Sequence, residues 1–285
     1  MKTFVVHTPA KINICLNVVG KREDGYHLLD MIILPLALHD SMMFSELKGN
    51  AKENYVTVDD FSIEPITYNL ATQAIEKLNA AKPFKERFRV NIHKVIPMQS
   101  GLGGGSSNAA STLVVLNKHL KLGFSDDELI EIGKSLGADI PFFIKGKPAR
   151  CRGIGEQLDF VKIKNNYHVL LVKPYAGCST KGVYEVSDTM ELPSGNVETV
   201  IEALENGDDD LLAKSIFNAL EAPAMKLVPE IAEIKKQLFD CGFKIVQMTG
   251  SGSAVFALST DAELVKKAAK KFEDKYIVEV TKILK

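Results

Sequence analysis

Pro97-Met98-Gln99-Ser100-Gly101-Leu102-Gly103-Gly104-Gly105-Ser106-Ser107-Asn108 decides how the rest of the chain is read. It sets four glycines and three serines between two apolar runs. The run before it, Phe88 to Ile96, alternates and is β-branched enough to predict a strand. The run after it, Ala109 to Leu122, has few helix breakers and predicts a helix. Glycine lets the backbone approach a ligand closely and take positive φ angles. Successive N–H groups at a helix N-terminus then converge on one point and carry the positive end of the helix dipole. Such a loop binds phosphate.

Other glycine-rich phosphate motifs do not fit. A Walker loop requires lysine and Ser/Thr after its last glycine, whereas Ser106 and Ser107 follow Gly105. A dinucleotide fingerprint requires glycine at its first, third and sixth places, and Gly101, Gly103 and Ser106 put serine at the sixth. The glycine flap of protein kinases fails on the same spacing, and the chain has no H-R-D or D-F-G triplet. A surface turn capping a helix at Ser106 or Ser107 needs one small polar residue, not a glycine cluster of this density.

The chain has 285 residues, enough for one large or two medium domains with a packed core. Its 35 basic and 36 acidic side chains nearly cancel, with no basic block, which argues against a nucleic-acid partner. His7, Lys11, Asn13 and Asn17 interrupt the N-terminal apolar pattern, so no signal peptide is expected. The longest apolar run, Met31 to Leu38, is too short for a bilayer and carries Pro35, so no membrane partner is expected. Cys15, Cys151, Cys178 and Cys241 lie far apart and predict reduced, mostly buried thiols. Together these features predict a cytoplasmic protein.

Strands are predicted at Thr3 to Val6, Lys11 to Val19, Leu34 to Phe44 and Tyr55 to Val58. Lys21 to Gly25 is a charged turn whose neighbours would pair as a hairpin. A helix is predicted at Asn69 to Ala80, and another from Ser125, where Ser125 and Glu128 form a capping box and Gly137 ends the run. Beyond Lys147 the pattern shifts, with strands at Ala149 to Gly153 and Tyr167 to Val172. Helices follow at Val197 to Asn206, Asp210 to Phe217 and Pro229 to Cys241. Strands at Lys244 to Met248 and Ala254 to Leu258 flank Thr249-Gly250-Ser251-Gly252, and a helix–strand pair closes the chain from Asp261 to Ile283. This predicts an α+β protein of two lobes, with domains at 1–155 and 156–285. A glycine-rich turn in each half suggests a site in the cleft between the lobes.

Transfer of a phosphoryl group needs a base, and a cation to balance charge. In Gly137-Ala138-Asp139-Ile140-Pro141-Phe142-Phe143, Asp139 sits at an abrupt turn, partly desolvated by apolar neighbours. Local sequence leaves it equally an N-cap ahead of Pro141 or a catalytic carboxylate. Lys11 is a charge within an alternating strand, readable as a snorkelling surface lysine. Gly25-Tyr26-His27 sets an aromatic ring and an imidazole after a glycine turn, or is simply loop. Thr249-Gly250-Ser251-Gly252-Ser253-Ala254 is either a β-turn or a second nest facing a ligand.

Taken together, these elements resemble the GHMP kinase superfamily. The glycine loop from Pro97 to Asn108 is similar to its ATP motif. Pro9-Ala10-Lys11-Ile12-Asn13 and Thr249-Gly250-Ser251-Gly252-Ser253-Ala254 are similar to its first and third motifs, in the right order along nearly the whole chain. The start followed by Arg22-Glu23-Asp24-Gly25-Tyr26-His27, together with Gly137-Ala138-Asp139-Ile140-Pro141, resembles one branch of that family. That branch phosphorylates the 2-hydroxyl of a cytidine-diphosphate-linked methylerythritol in the non-mevalonate isoprenoid pathway. Homoserine kinases would show Ala-Asn-Leu-Gly-Pro-Gly near the N-terminus, which is absent, and mevalonate kinases typically lack the Asp-Gly-Tyr-His turn. A silent nucleotide-binding homologue would not need both Lys11 and Asp139.

The resemblance implies a two-lobed GHMP-kinase-like fold and a role for each matched position. ATP would lie over Pro97, Met98, Gln99, Ser100, Gly101, Leu102, Gly103, Gly104, Gly105, Ser106, Ser107 and Asn108. Asp139 would accept the hydroxyl proton, and Lys11, between it and the phosphates, would keep it ionised and balance the transferred charge. Tyr26 and His27 would hold the cytosine; Asn13, Asn69, Lys94 and Gly250 would help hold the substrate or its phosphates. Mg²⁺ is expected with ATP, with Ser107 or Asp139 as candidate partners and no firm ligand set. The resemblance leaves the oligomeric state open between a monomer and a weak dimer. Gln99-Ser100 and Met31 depart from the residues relatives usually carry, and Thr189 to Asp210 bears no motif.

Overall fold

The computed structural model describes residues 2–48, 51–59 and 69–285. Ten strands and ten helices are found among them, the strands in two sheets. Two compact units interleave along the chain: Met1–Ala10, His39–Ile96 and Gly103–Gly146 form the first, and Lys11–Leu38, Pro97–Leu102 and Lys147–Lys285 the second. The position expected to divide two domains, Gly155, lies within the second unit, between two paired strands.

The long strands β1 (Thr3–Lys21) and β2 (His27–Glu46) pair with each other, and each contributes residues to both units. The two strands expected at Thr3 to Val6 and Lys11 to Val19 are one, since β1 runs on through Pro9. The turn joining them closes with Arg22 N–H on the Tyr26 carbonyl at 2.8 Å and Gly25 at a φ of 90°.

In the first unit the C-terminal half of β2 pairs antiparallel with β4 (Phe88–His93), and β4 pairs parallel with β3 (Tyr55–Val58). Phe88, Val90 and Ile92 alternate into the core, as a strand with one buried face requires. Helix α1 (Leu70–Ala81) buries Ala71, Ala74, Ile75 and Leu78, one apolar stripe at helical spacing. It packs on α2 (Gly104–His119). Helix α3 (Asp126–Lys134) opens on the expected reciprocal capping box of Ser125 and Glu128, and α4 (Ile140–Lys145) buries Ile140, Pro141, Phe142 and Phe143. The strand expected to Ile96 ends at His93, and the helix expected from Ala109 begins at Gly104. Helix propensity discounts glycine, but in a first turn the N–H groups need no intrahelical partner, so loop glycines can serve as helix.

In the second unit the N-terminal half of β2 pairs antiparallel with β5 (Ala149–Gly153), which pairs with β6 (Gln157–Phe160). A second sheet runs β10 (Ile277–Lys282), β7 (His168–Lys173), β9 (Val255–Ser259), β8 (Ile245–Met248), all antiparallel. Val169 to Val172 and Val255 to Leu258 are buried without alternation, so these central strands are covered on both faces. Helices α5 (Thr180–Ser187), α6 (Val197–Asn206), α7 (Asp209–Ser215), α8 (Glu221–Leu227), α9 (Glu230–Asp240) and α10 (Ala262–Ala269) complete the unit. β6, α5 and α8 were not foreseen. Each is short, and α5 and α8 lack a long apolar period.

Candidate active site

The glycine loop is shared between the units: Pro97–Leu102 belongs to the second and Gly103 onward to the first. Each unit gathers its own set of the predicted residues.

In the second unit, three sequence-distant motifs come together. The Lys11 N–H donates to the Leu102 carbonyl at 3.0 Å, and the Asn13 N–H to Thr249 Oγ1 at 3.0 Å. Thr249 Oγ1 in turn donates to the Gly101 carbonyl at 3.3 Å, and the Ala254 N–H to the Ser100 carbonyl at 3.1 Å. The backbones are so close that a Cβ on Gly101 would lie 2.1 Å from the Thr249 carbonyl oxygen. Gly101 has a φ of 75° and Gly250 one of 56°, the left-handed region glycine enters at least cost. Gln99 is left-handed too, at 48°, and its carbonyl accepts from the N–H groups of Cys178 and Ser253, each at 3.3 Å.

Lys11 is only 3% exposed, so it is not a snorkelling surface residue. Its Nζ donates to Asn13 Oδ1 at 2.5 Å, and Asn13 Nδ2 faces the Met31 sulfur at 3.2 Å. A Cβ on Gly250 would meet the Gly101 carbonyl and Asn13 Oδ1 at 3.1 and 3.3 Å. Asn218, which no motif marked, donates to the carbonyls of Met248 and Gly250, both at 2.9 Å, and so holds the second glycine turn.

Tyr26 and His27 lie at the start of β2. Tyr26 is 60% exposed, whereas the His27 ring stacks on Tyr184 of α5 with centroids 4.5 Å apart and planes 19° from parallel. His27 Nε2 lies 2.7 Å from Asp188, whose other oxygen accepts from Lys21 Nζ at 2.6 Å. The Lys21 ammonium, and after it His27, hold the Asp188 carboxyl below the ordinary carboxylate range. Tyr184 and Asp188 escaped the sequence reading. Their one signal was an aromatic and a carboxylate at helical spacing, which any amphipathic helix shows.

In the first unit, Gly103 is the N-cap of α2, left-handed at 74° and offering no side-chain cap. The capping role considered for Ser106 or Ser107 is therefore not theirs; both lie inside the helix. The Ser107 N–H makes the first turn's bond to the Gly103 carbonyl at 2.9 Å, which leaves the preceding N–H groups pointing out of the helix end. No acidic residue occupies that turn. An anion is the partner such an end favours. Ser107 Oγ is buried without a hydrogen-bond partner, an orphaned donor at the same turn.

Asp139 occupies the N-cap position of α4, yet its side chain makes no capping hydrogen bond. The preceding Gly137 abuts Ser106 Oγ, 3.7 Å from where a Cβ would stand, so this turn lies against the start of α2. Lys94 Nζ pairs with Asp40 and lies 3.0 Å from the position of a Cβ on Gly104. Asn69 caps α1 by accepting from the Ala71 N–H at 2.8 Å, and the next residue, Leu70, touches Gly105. Among the described residues no group of three His, Cys, Asp or Glu side chains could hold a metal ion, and no helix is long and apolar enough to cross a membrane.

All four cysteines are free thiols, with Cys15, Cys151 and Cys178 buried and Cys241 partly exposed, as expected. Burial pushes the Cys15 thiol up to about 12.

Comparison with known proteins first gives the class. Residues 69–147 match the GHMP kinases N terminal domain, and residues 200–278 the GHMP kinases C terminal domain. A 4-diphosphocytidyl-2-C-methyl-D-erythritol kinase of Pelotomaculum thermopropionicum is 36% identical over 264 residues, covering 92% of this chain and 91% of the relative. The enzyme of the same description from Clostridium novyi is 37% identical over 272 residues, covering 94% and 95%. A crystal structure of 4-(cytidine 5'-diphospho)-2C-methyl-D-erythritol kinase superposes with a TM-score of 0.81 at 30% identity, covering 98% of this chain and 99% of its own. Homoserine kinase from Cytophaga hutchinsonii shares the fold, with a TM-score of 0.74 at 17% identity over 100% of this chain and 95% of its own. The chain belongs to the GHMP kinases, and within them to the family of 4-diphosphocytidyl-2-C-methyl-D-erythritol kinases.

Proposed function

We propose that this protein transfers the γ-phosphoryl group of ATP to the 2-hydroxyl of 4-diphosphocytidyl-2-C-methyl-D-erythritol, giving the 2-phosphate and ADP. The observation that carries the reading is the likeness to kinases of that name along nearly the full length of both chains. Local geometry supports the chemistry. The open N–H groups at the start of α2 and the tight turn at Gly101 would hold phosphate oxygens. Asp139, at the turn that leads into α4, would accept the proton of the attacking hydroxyl. Buried Lys11 would neutralise charge that builds on the transferred group, and Asn13 fixes where its ammonium points. His27, backed by Tyr184 and Asp188, would hold the cytosine by its edge, while Tyr26 offers an exposed ring for stacking.

Mg²⁺ would neutralise phosphate charge when bound with ATP. The orphaned Ser107 hydroxyl and the Asp139 carboxylate are the oxygen donors that fit it, since hard cations take oxygen ligands.

A coupled ADP-release assay tests the proposal, with Mg²⁺-ATP and 4-diphosphocytidyl-2-C-methyl-D-erythritol, homoserine, mevalonate and galactose offered separately. ADP release with the first alone is the expected result. Release with another acceptor overturns the substrate assignment. ATP binding without release for any acceptor identifies a silent homologue instead.

A further inference from the structure

Asp40, on β2, is completely buried, although it is an ionisable carboxylate. Removing such a charge from water is costly unless donors replace the lost hydration. Here four donors do so. Oδ1 accepts from the N–H groups of Val95 and Ile96, each at 2.8 Å. Oδ2 accepts from Asn108 Nδ2 at 3.1 Å and pairs with Lys94 Nζ. Ile96 immediately precedes the glycine loop and Asn108 ends it. One carboxylate therefore ties down both ends of the loop.

The same group aims Lys94. Its ammonium lies between Asp40 Oδ2 and Asn108 Oδ1, the latter 3.4 Å away, and beside Gly104, the first residue of α2. A cation at a helix N-terminus faces like-signed partial charge. It stays there because Asp40 balances it, which fixes the ammonium beside the bare N–H groups of the helix end. Thr8 locks the arrangement: its Oγ1 accepts from Asn108 Nδ2 at 2.7 Å and donates to the Asp40 carbonyl at 3.4 Å.

We infer that Asp40 is a positioning residue for ATP, which sets the span of the glycine loop and presents Lys94 to the nucleotide's phosphates. This rests on the reading of the loop as the ATP site. Asp40→Asn keeps the shape and one acceptor but removes the charge facing Lys94. It should raise the ATP KM at least tenfold and weaken ADP binding in parallel, measured by calorimetry. The acceptor KM should change less than twofold. In a Lys94→Met background, which should itself raise the ATP KM, adding Asp40→Asn should change it less than threefold, because the two act as a unit.

A purely structural Asp40 would lower the melting temperature while leaving the ATP KM and ADP affinity of the folded fraction intact, and that result overturns the inference. So does an equal rise in both KM values, or a Lys94→Met enzyme with the wild-type ATP KM, which decides the matter even where Asp40→Asn does not fold. Failure of the underlying reading looks different. A wild-type protein without affinity for ATP, or one whose affinity is untouched by Gly101→Ala, removes the loop as the nucleotide site. Loss of affinity in Gly101→Ala but not in Asp40→Asn removes only the role of Asp40.

Discussion

Gly101→Ala adds one carbon where the backbones of two loops leave no room for it. The new Cβ would stand 2.1 Å from the Thr249 carbonyl oxygen, 3.0 Å from its carbon and 3.2 Å from the Gly252 nitrogen. These are backbone atoms, so no side-chain rotation relieves the clash. Thr249 must retreat by about 1 Å, and a misplacement of that size near a reacting group is worth roughly 100-fold in rate. The retreat also strains the Gly252 N–H bond to the Thr249 carbonyl, 2.9 Å long, and the Thr249 Oγ1 bond to Gly101. Alanine at a φ of 75° adds about 1–2 kcal/mol of backbone strain. With about 1 kcal/mol for the weakened bonds, the melting temperature should fall by roughly 5–10 °C. Gly123→Ala is the control: its φ is 81°, but nothing lies within 4 Å of the added carbon. It should lose only the backbone strain, about 1–2 kcal/mol, and keep kcat/KM within about twofold, since it lies far in sequence from every assigned residue. Steady-state kinetics with ATP varied, beside thermal unfolding of both variants, separate the two effects. A Gly101→Ala enzyme with kcat/KM within about twofold of wild type would refute the reasoning that this contact sets the nucleotide's position.

Asp139→Asn should lower kcat by about 10²–10⁴-fold while ADP affinity, followed by calorimetry, stays within about threefold; turnover near wild type would remove Asp139 as the base. His27→Ala should raise the acceptor KM far more than the ATP KM, and Asp188→Asn should do the same more weakly, because it loosens the ring rather than deleting it. Equal shifts in both constants would place His27 elsewhere. Native alkylation at pH 8 should label Cys241 first and spare Cys15 until unfolding, read by peptide mass spectrometry; fast native labelling of Cys15 contradicts its burial. The Cys15 thiol is an acid whose folded value is raised from 9.0 to about 12, so the fold keeps a proton that the unfolded chain loses. Stability is unaffected below the unfolded value and declines as pH rises from there toward the folded one. Between pH 8 and 10 the wild type should lose about 1.4 kcal/mol more than Cys15→Ala in denaturant titrations, and parallel losses would count against the shift.

What could be read from sequence was what short range determines. The glycine loop announced itself because glycine density is a local property, and the capping box at Ser125 because its partners are three residues apart. Asp139 stood out for its apolar neighbours, but local sequence could not separate cap from base. The start of α4 shows no side-chain capping bond from it, and its role as the base is the proposal that Asp139→Asn tests. The start of α2 was misplaced for an instructive reason. Gly104 and Gly105 weaken a helix on any propensity scale, yet a helix end that must present bare N–H groups gains from having no side chains in the way.

Residues that sequence reasoning missed share a single physical feature: their partners are distant in the chain. Asp188 meets His27 across 161 positions, and nothing near either residue encodes the pairing. Asp40 is the sharper case. Inside the predicted strand from Leu34 to Phe44 it is a charged residue on the same face as Leu36, Leu38, Met42 and Phe44, and such a residue either interrupts the buried face or finds partners within it. Its neighbours allow either outcome, because a strand fixes only which face a side chain takes, not what covers that face. The covering comes from Lys94, Asn108 and the N–H groups of Val95 and Ile96. A charge completely removed from solvent survives only where its whole donor set is assembled. The burial of Asp40 therefore reports on the glycine loop's geometry as directly as the glycines do, and its substitution should be felt at the loop before it is felt elsewhere in the fold.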